Sequence, residues 1–158
     1  MKRNYCKLLN SGVFFMLGAS ALLGGTIRYV PSPYGSIQAA YEACSPGDTV
    51  VVADGTYTGG NNANLWLYKD GTAASNIMIK AANVGGAVLD ARNQPDTNVV
   101  SGTSLLNNVI YIGPHNGSSG SYNVVQGFEI KNGYHSGIFI DAGAGYNQIL
   151  MNNIHNNG

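Results

Sequence analysis

Glu129 and Lys131 flank Ile130, and 24 residues later Asn153 and His155 flank Ile154. Alternate residues of an extended chain point to opposite faces, so with Ile130 and Ile154 turned inward the other four point outward. A carboxylate, an ammonium, an amide and an imidazole brought to one face form a polar patch that can bind sugar hydroxyls or a carboxylate. The plainer alternative is a solvated strand face with a rung-to-rung ion pair, the commoner outcome of such a pattern. Tyr111 and Phe139 are a second candidate: both are expected to face outward from matching strands, either to stack on a sugar or to lie under a loop.

Other reactive types are scattered. Asp48, Asp54, Asp70, Asp90, Asp96, Glu129 and Asp141 show no metal-site spacing, and calcium wants roughly six to eight oxygens. His115 and His135 sit in Gly- and Ser-containing turns without ligand partners, and read as surface residues. Cys44 shares helical spacing with Ile37, Ala40 and Tyr41 and reads as a packing residue. No nucleophile elbow or triad pattern is present, and no cofactor is identifiable.

The polar patch requires that residues 24 apart be neighbours. YNVVQGFEIKNG at 122–133 returns as YNQILMNNIHNN at 146–157, pairing Asn123 with Asn147, Val125 with Ile149 and Asn132 with Asn156. Leu106 and Asn108 fall one period earlier, and Asn108, Asn132 and Asn156 are expected to stack at a turn. A period of this length marks a solenoid, whose repeats bury their apolar sides against one another. Val109 to Ile112 matches Gly137 to Ile140, and Asn76 to Lys80 alternates with Ile77 and Ile79 on one face. Asn61 to Asp70 reads as a loop or an outer strand. With 22 Gly, 19 Asn and 10% charged residues, against roughly 25% in an average domain, the composition is one of short strands and tight turns.

Ser36 can cap a short helix whose apolar residues Ile37, Ala40, Tyr41 and Cys44 follow i, i+3, i+4, i+7 spacing, stopped by Ser45-Pro46-Gly47-Asp48. It is expected to close the first coil. Residues 1–25 read as an export signal: Lys2, Arg3 and Lys7, an apolar run from Val13, and Ala19-Ser20-Ala21 as the cleavage site. That run is too short to span a bilayer, so a secreted protein with no stable membrane insertion is expected. Losing three of eight positive charges leaves five against eight acidic residues, which speaks against nucleic acid as a partner.

SIQAAYEACSPGDTVVVADGTYTG at 36–59, SNIMIKAANVGGAVLDA at 75–91, GFEIKNGYHSGIFI at 127–140 and NQILMNNIHNNG at 147–158 resemble secreted right-handed parallel β-helix proteins. The likeness is to the N-terminal part of pectate-lyase-like polysaccharide lyases, family nine included. It implies an all-β right-handed parallel β-helix over residues 26–158 with an N-terminal capping helix. It also implies β-elimination on pectin or another polyuronate, with a basic residue as the base and Ca²⁺ as the stabilising cation. The Tyr29-to-Gly35 stretch before the helix is shorter than in those lyases, and their Asp cluster and catalytic Lys belong to coils further downstream. The domain is therefore expected to be C-terminally incomplete and, in isolation, to associate through its uncapped coil. The alternative function is a non-catalytic, adhesive β-helix that binds glycans or protein partners.

Overall fold

The computed structural model describes residues 24–92 and 108–158. The expected export signal lies, up to residue 23, outside the described residues, as do Asp96 and Leu106. The elements in chain order are β1 (Ile27–Val30), α1 (Ile37–Glu42), β2 (Thr49–Val52), β3 (Gly55–Tyr57), β4 (Leu65–Leu67), β5 (Ile77–Ala81), β6 (Ala87–Asp90), β7 (Asn108–Ile112), β8 (Asn123–Gln126), β9 (Glu129–Lys131), β10 (Ser136–Ile140), β11 (Gln148–Leu150) and β12 (Asn153–His155). Strands three places apart pair in parallel. Sheet A runs β1-β2-β5-β8-β11, sheet B runs β3-β6-β9-β12, and sheet C runs β4-β7-β10. Such interleaving, with no crossover helix among the described residues, defines a parallel β-helix solenoid.

Alternation produces the core. Val50, Val52, Ile77, Ile79 and Val125 point inward from sheet A, Leu89 and Ile130 from sheet B, and Leu65, Leu67, Ile110 and Ile112 from sheet C, all essentially inaccessible to solvent. Each such side chain contributes about 1.5–3 kcal/mol of burial. The segment 61–70 holds β4, because Leu65 and Leu67 match Ile110 and Ile112 of β7.

Helix α1 is closed as its sequence suggests. The Ser36 side chain accepts the Ala39 N–H, and Ile37, Ala40 and Tyr41 are buried, as is Cys44. Burial pushes the Cys44 thiol up to about 11, which keeps it protonated and inert. The Tyr41 hydroxyl accepts from Lys69 N at 2.7 Å and donates to Asn123 Oδ1 at 3.2 Å. Asn123, fully buried, spends its amide nitrogen on Lys69 O and Ser121 O. The cap is thereby tied to β8 through satisfied polar groups.

The expected Asn108–Asn132–Asn156 stack is corrected in part. Asn108 opens β7 in sheet C and pairs with Ser136, whereas Asn132 follows sheet B and is bonded by its side chain to Asp90. The physical reason is that the 24-residue period holds only from Tyr122 onward: the connection from β7 to β8, through the 113–121 loop, is longer than that from β10 to β11, so Asn108 pairs 28 residues on, with Ser136, instead of 24. Asn132 and Asn156 do sit on successive rungs, with the Asn132 N–H donating to the Asn156 carbonyl at 3.2 Å.

A different asparagine set fastens the last two coils. Tyr146, Met151 and Asn156 each adopt positive φ, at 58°, 56° and 53°, and each is followed by Asn. Asn147, Asn152 and Asn157 accept, through Oδ1, the backbone N–H groups of Asn123, Phe128 and Gly133 one coil back, at 2.7, 2.9 and 2.8 Å. Left-handed residues make the corners, and the amides satisfy N–H groups that the bend takes out of the ladders.

Candidate functional site

The sheet register brings the four outward residues together. Asn153 pairs with Glu129 and His155 with Lys131, while Ile130 between them is fully buried. Lys131 Nζ lies 2.7 Å from Glu129 Oε1, and His155 Nε2 lies 3.2 Å from the same oxygen. The hydrogen bond from Lys131, helped by His155, holds the Glu129 carboxyl below its ordinary value. All four side chains keep access to solvent, and exposed pairs of this kind add little stability.

The wall continues one coil back. Val88 and Asp90 pair with Glu129 and Lys131. Asp90 accepts from Asn132 Nδ2 at 2.7 Å and from the Arg92 backbone N–H at 2.9 Å, and its other oxygen lies 3.3 Å from Arg92 Nη2. Burial opposes the charge on Asp90, yet these donors outweigh it and lower its pKa. The outer face of sheet B thus carries an acid, an amine, an amide and an imidazole on its last two rungs, with the buried Asp90 one rung back, chemistry suited to hydroxyl pairs and to carboxylates of a polar ligand.

The outer face of sheet C is aromatic. Trp66 pairs with Tyr111 and Tyr111 with Phe139. The last two rings stack at 5.8 Å, 9° from parallel. The two residues differ in exposure: Phe139 is 44% exposed, while Tyr111 is buried. The Tyr111 hydroxyl bonds the Asp141 carboxylate. Burial, then that bond, push its pKa up to about 12. His115 is no isolated surface residue: its ring lies 4.0 Å from Trp66 and 4.9 Å from Tyr68. Its loop is pinned by Asp70, which accepts from Ser119 N, Ser119 Oγ and Ser121 N. At Gly120, with φ +77°, an added Cβ would fall 2.6 Å from the Leu67 carbonyl oxygen, so only glycine allows so close an approach.

The other carboxylates have structural partners. Asp48 takes Thr26 N, Ser45 N and Arg28 Nη1, at 2.6, 2.8 and 2.6 Å, and Asp54 takes Asn83 Nδ2. Among the described residues no three His, Cys, Asp or Glu side chains converge as a metal site, and no helix is long and apolar enough to cross a membrane. What sequence reasoning missed is the corner column Tyr122–Tyr146, with rings stacked at 4.8 Å, although the repeat already aligns the two residues.

Comparison with family models, curated proteins and solved structures finds no match to this chain. Its class, a parallel β-helix solenoid, rests on its own strand register.

Proposed function

We propose that this chain is a polysaccharide-engaging β-helix of a secreted protein, holding an acidic glycan such as a polyuronate along the outer wall of sheet B. The observation that carries the reading is the convergence of Glu129, Lys131, Asn153 and His155 on one solvent-facing strip. Lys131 and a protonated His155 offer cations to a sugar carboxylate, and Glu129 and Asn153 offer hydrogen bonds to hydroxyls. Parallel rungs repeat about every 4.8 Å, so successive pairs of side chains can meet successive parts of an extended chain.

The lyase reading rests on the sequence resemblance. β-Elimination needs a base free to take the proton α to the carboxylate, and in the sheet B strip the one amine, that of Lys131, is held by Glu129. Binding is therefore the activity that these residues support best.

The test is electrophoresis of the full chain through gels containing polygalacturonate. Retardation of the wild type, lost in Lys131→Ala and weakened in His155→Ala, is the expected result. Free migration of the wild type, or equal retardation of Lys131→Ala, would sink the reading. Ultraviolet-absorbing unsaturated ends released from the same polymer with Ca²⁺ would instead establish the lyase chemistry.

A further inference from the structure

The corner preceding sheet A carries a feature that the wall of sheet B does not need. Tyr122 and Tyr146 both sit at φ +58°, a region that bulky side chains rarely occupy and that Gly or Asn fills at less cost. Three of the four other corners of these coils are filled in that cheaper way: Gly127 stands at φ +80°, and Asn132 and Asn156 at 61° and 53°, while Met151 stands at 56°. Two successive rungs therefore hold an aromatic ring where the backbone favours a smaller residue, and Tyr146 remains 76% exposed.

The rings border an open hollow of about 380 Å³, lined by Ala73, Asn76, Tyr122, Tyr146, Asn147 and Gln148. None of these is charged. Asn147 is turned inward, its Oδ1 committed to Asn123 N and its Nδ2 shielded from solvent, so the amides that face the hollow are those of Asn76 and Gln148. Aromatic rings offer a negative π surface to the weakly positive C–H face of a pyranose, and the amides of Asn76 and Gln148 offer both donors and acceptors to its hydroxyls. We infer that this hollow is a second glycan site, selective for a neutral hexose polymer, with the Tyr122–Tyr146 column as its stacking surface and the accessible amides of Asn76 and Gln148 as partners for the sugar hydroxyls.

The site is independent of the sheet B wall, and affinity electrophoresis of the full chain separates the two. The probes are hydroxyethyl cellulose and galactomannan as neutral polymers, beside polygalacturonate. Wild type should be retarded by at least one neutral polymer. Tyr146→Asn, whose new residue accepts left-handed backbone readily, should migrate there as in a blank gel, with its urea midpoint unchanged or raised and its polygalacturonate retardation intact. Gln148→Ala, an exposed change, should weaken neutral retention several-fold without altering the midpoint, and Tyr146→Phe should retain it. Lys131→Ala should leave neutral retention unchanged. The inference is overturned if the wild type runs freely through both neutral gels, if Tyr146→Asn is retained as well as wild type, or if Tyr146→Asn unfolds, since the rings then serve only the stack. Neutral retention without polygalacturonate retention would uphold this site and remove the sheet B reading; the reverse would do the opposite.

Discussion

Sheets B and C are laid on the same parallel rungs, yet their outer faces have opposite chemistry. Sheet B shows Glu129, Lys131, Asn153 and His155 to solvent, while the outer side of sheet C carries Trp66, Tyr111 and Phe139 and has the 113–121 loop folded back toward it, with His115 against Trp66. The inward residues are alike, Leu89 and Ile130 on one side and Leu65, Leu67, Ile110 and Ile112 on the other. Register is therefore set from the inside, and the outward positions are left to function or to packing under a loop.

Several substitutions break or sharpen this contrast. The largest effect should come from the shared interior: Ile130→Ala removes a fully buried side chain and should cost about 2–5 kcal/mol in urea unfolding, with loss of the sheet B strip as well. Tyr111→Phe keeps the ring and removes the hydroxyl that bonds Asp141; a bond to a charged group contributes about 1.5–3 kcal/mol, and unfolding should report a loss near the lower end, with Glu129 and Lys131 undisturbed.

Acid should distinguish the two walls. Burial opposes the charge of Asp70, but donors from Ser119 and Ser121 overcome it and hold its pKa below the ordinary 3.8. A carboxyl lowered by folding contributes stability that is fully present above its unfolded pKa and is lost as pH falls through the folded one. The loop carrying His115 should thus loosen below about pH 4. Trp66, the single tryptophan, reports it: its emission should change in that range, and Asp70→Asn should show the changed emission already at neutral pH. An acid transition in Asp70→Asn identical to that of the wild type would disprove this anchoring. The smallest effect belongs to the open wall. Glu129→Gln should leave the urea midpoint indistinguishable from wild type, because exposed ion pairs contribute little.

Much of this architecture was legible in the chain. The helix from Ile37 follows from four apolar residues at helical spacing and a serine cap, and the pairing of Glu129 with Asn153 follows from a repeat whose members are all present. The Asn108 register was not legible, because the 113–121 loop between β7 and β8 is longer than its counterpart between β10 and β11, and a period counted backward from Tyr122 slips. The cover over Trp66 was hidden for another reason: His115 meets it through a tertiary contact for which neither loop sequence has a local signature. The asparagines at 147, 152 and 157 were visible as a composition, but their role depends on left-handed corners that only the backbone reveals.

Those corners have a mechanical consequence. From Tyr122 to Gly127 to Asn132, and again from Tyr146 to Met151 to Asn156, the chain turns every five residues, so sheets A and B share edges with no slack, and all length variation in these coils is thrown to the flanks of sheet C. One side of the molecule therefore behaves as a ruler, on which a group grafted at 129 and another at 153 keep a fixed rung separation of about 4.8 Å. The other side is where foreign segments can be spliced without disturbing the graduations.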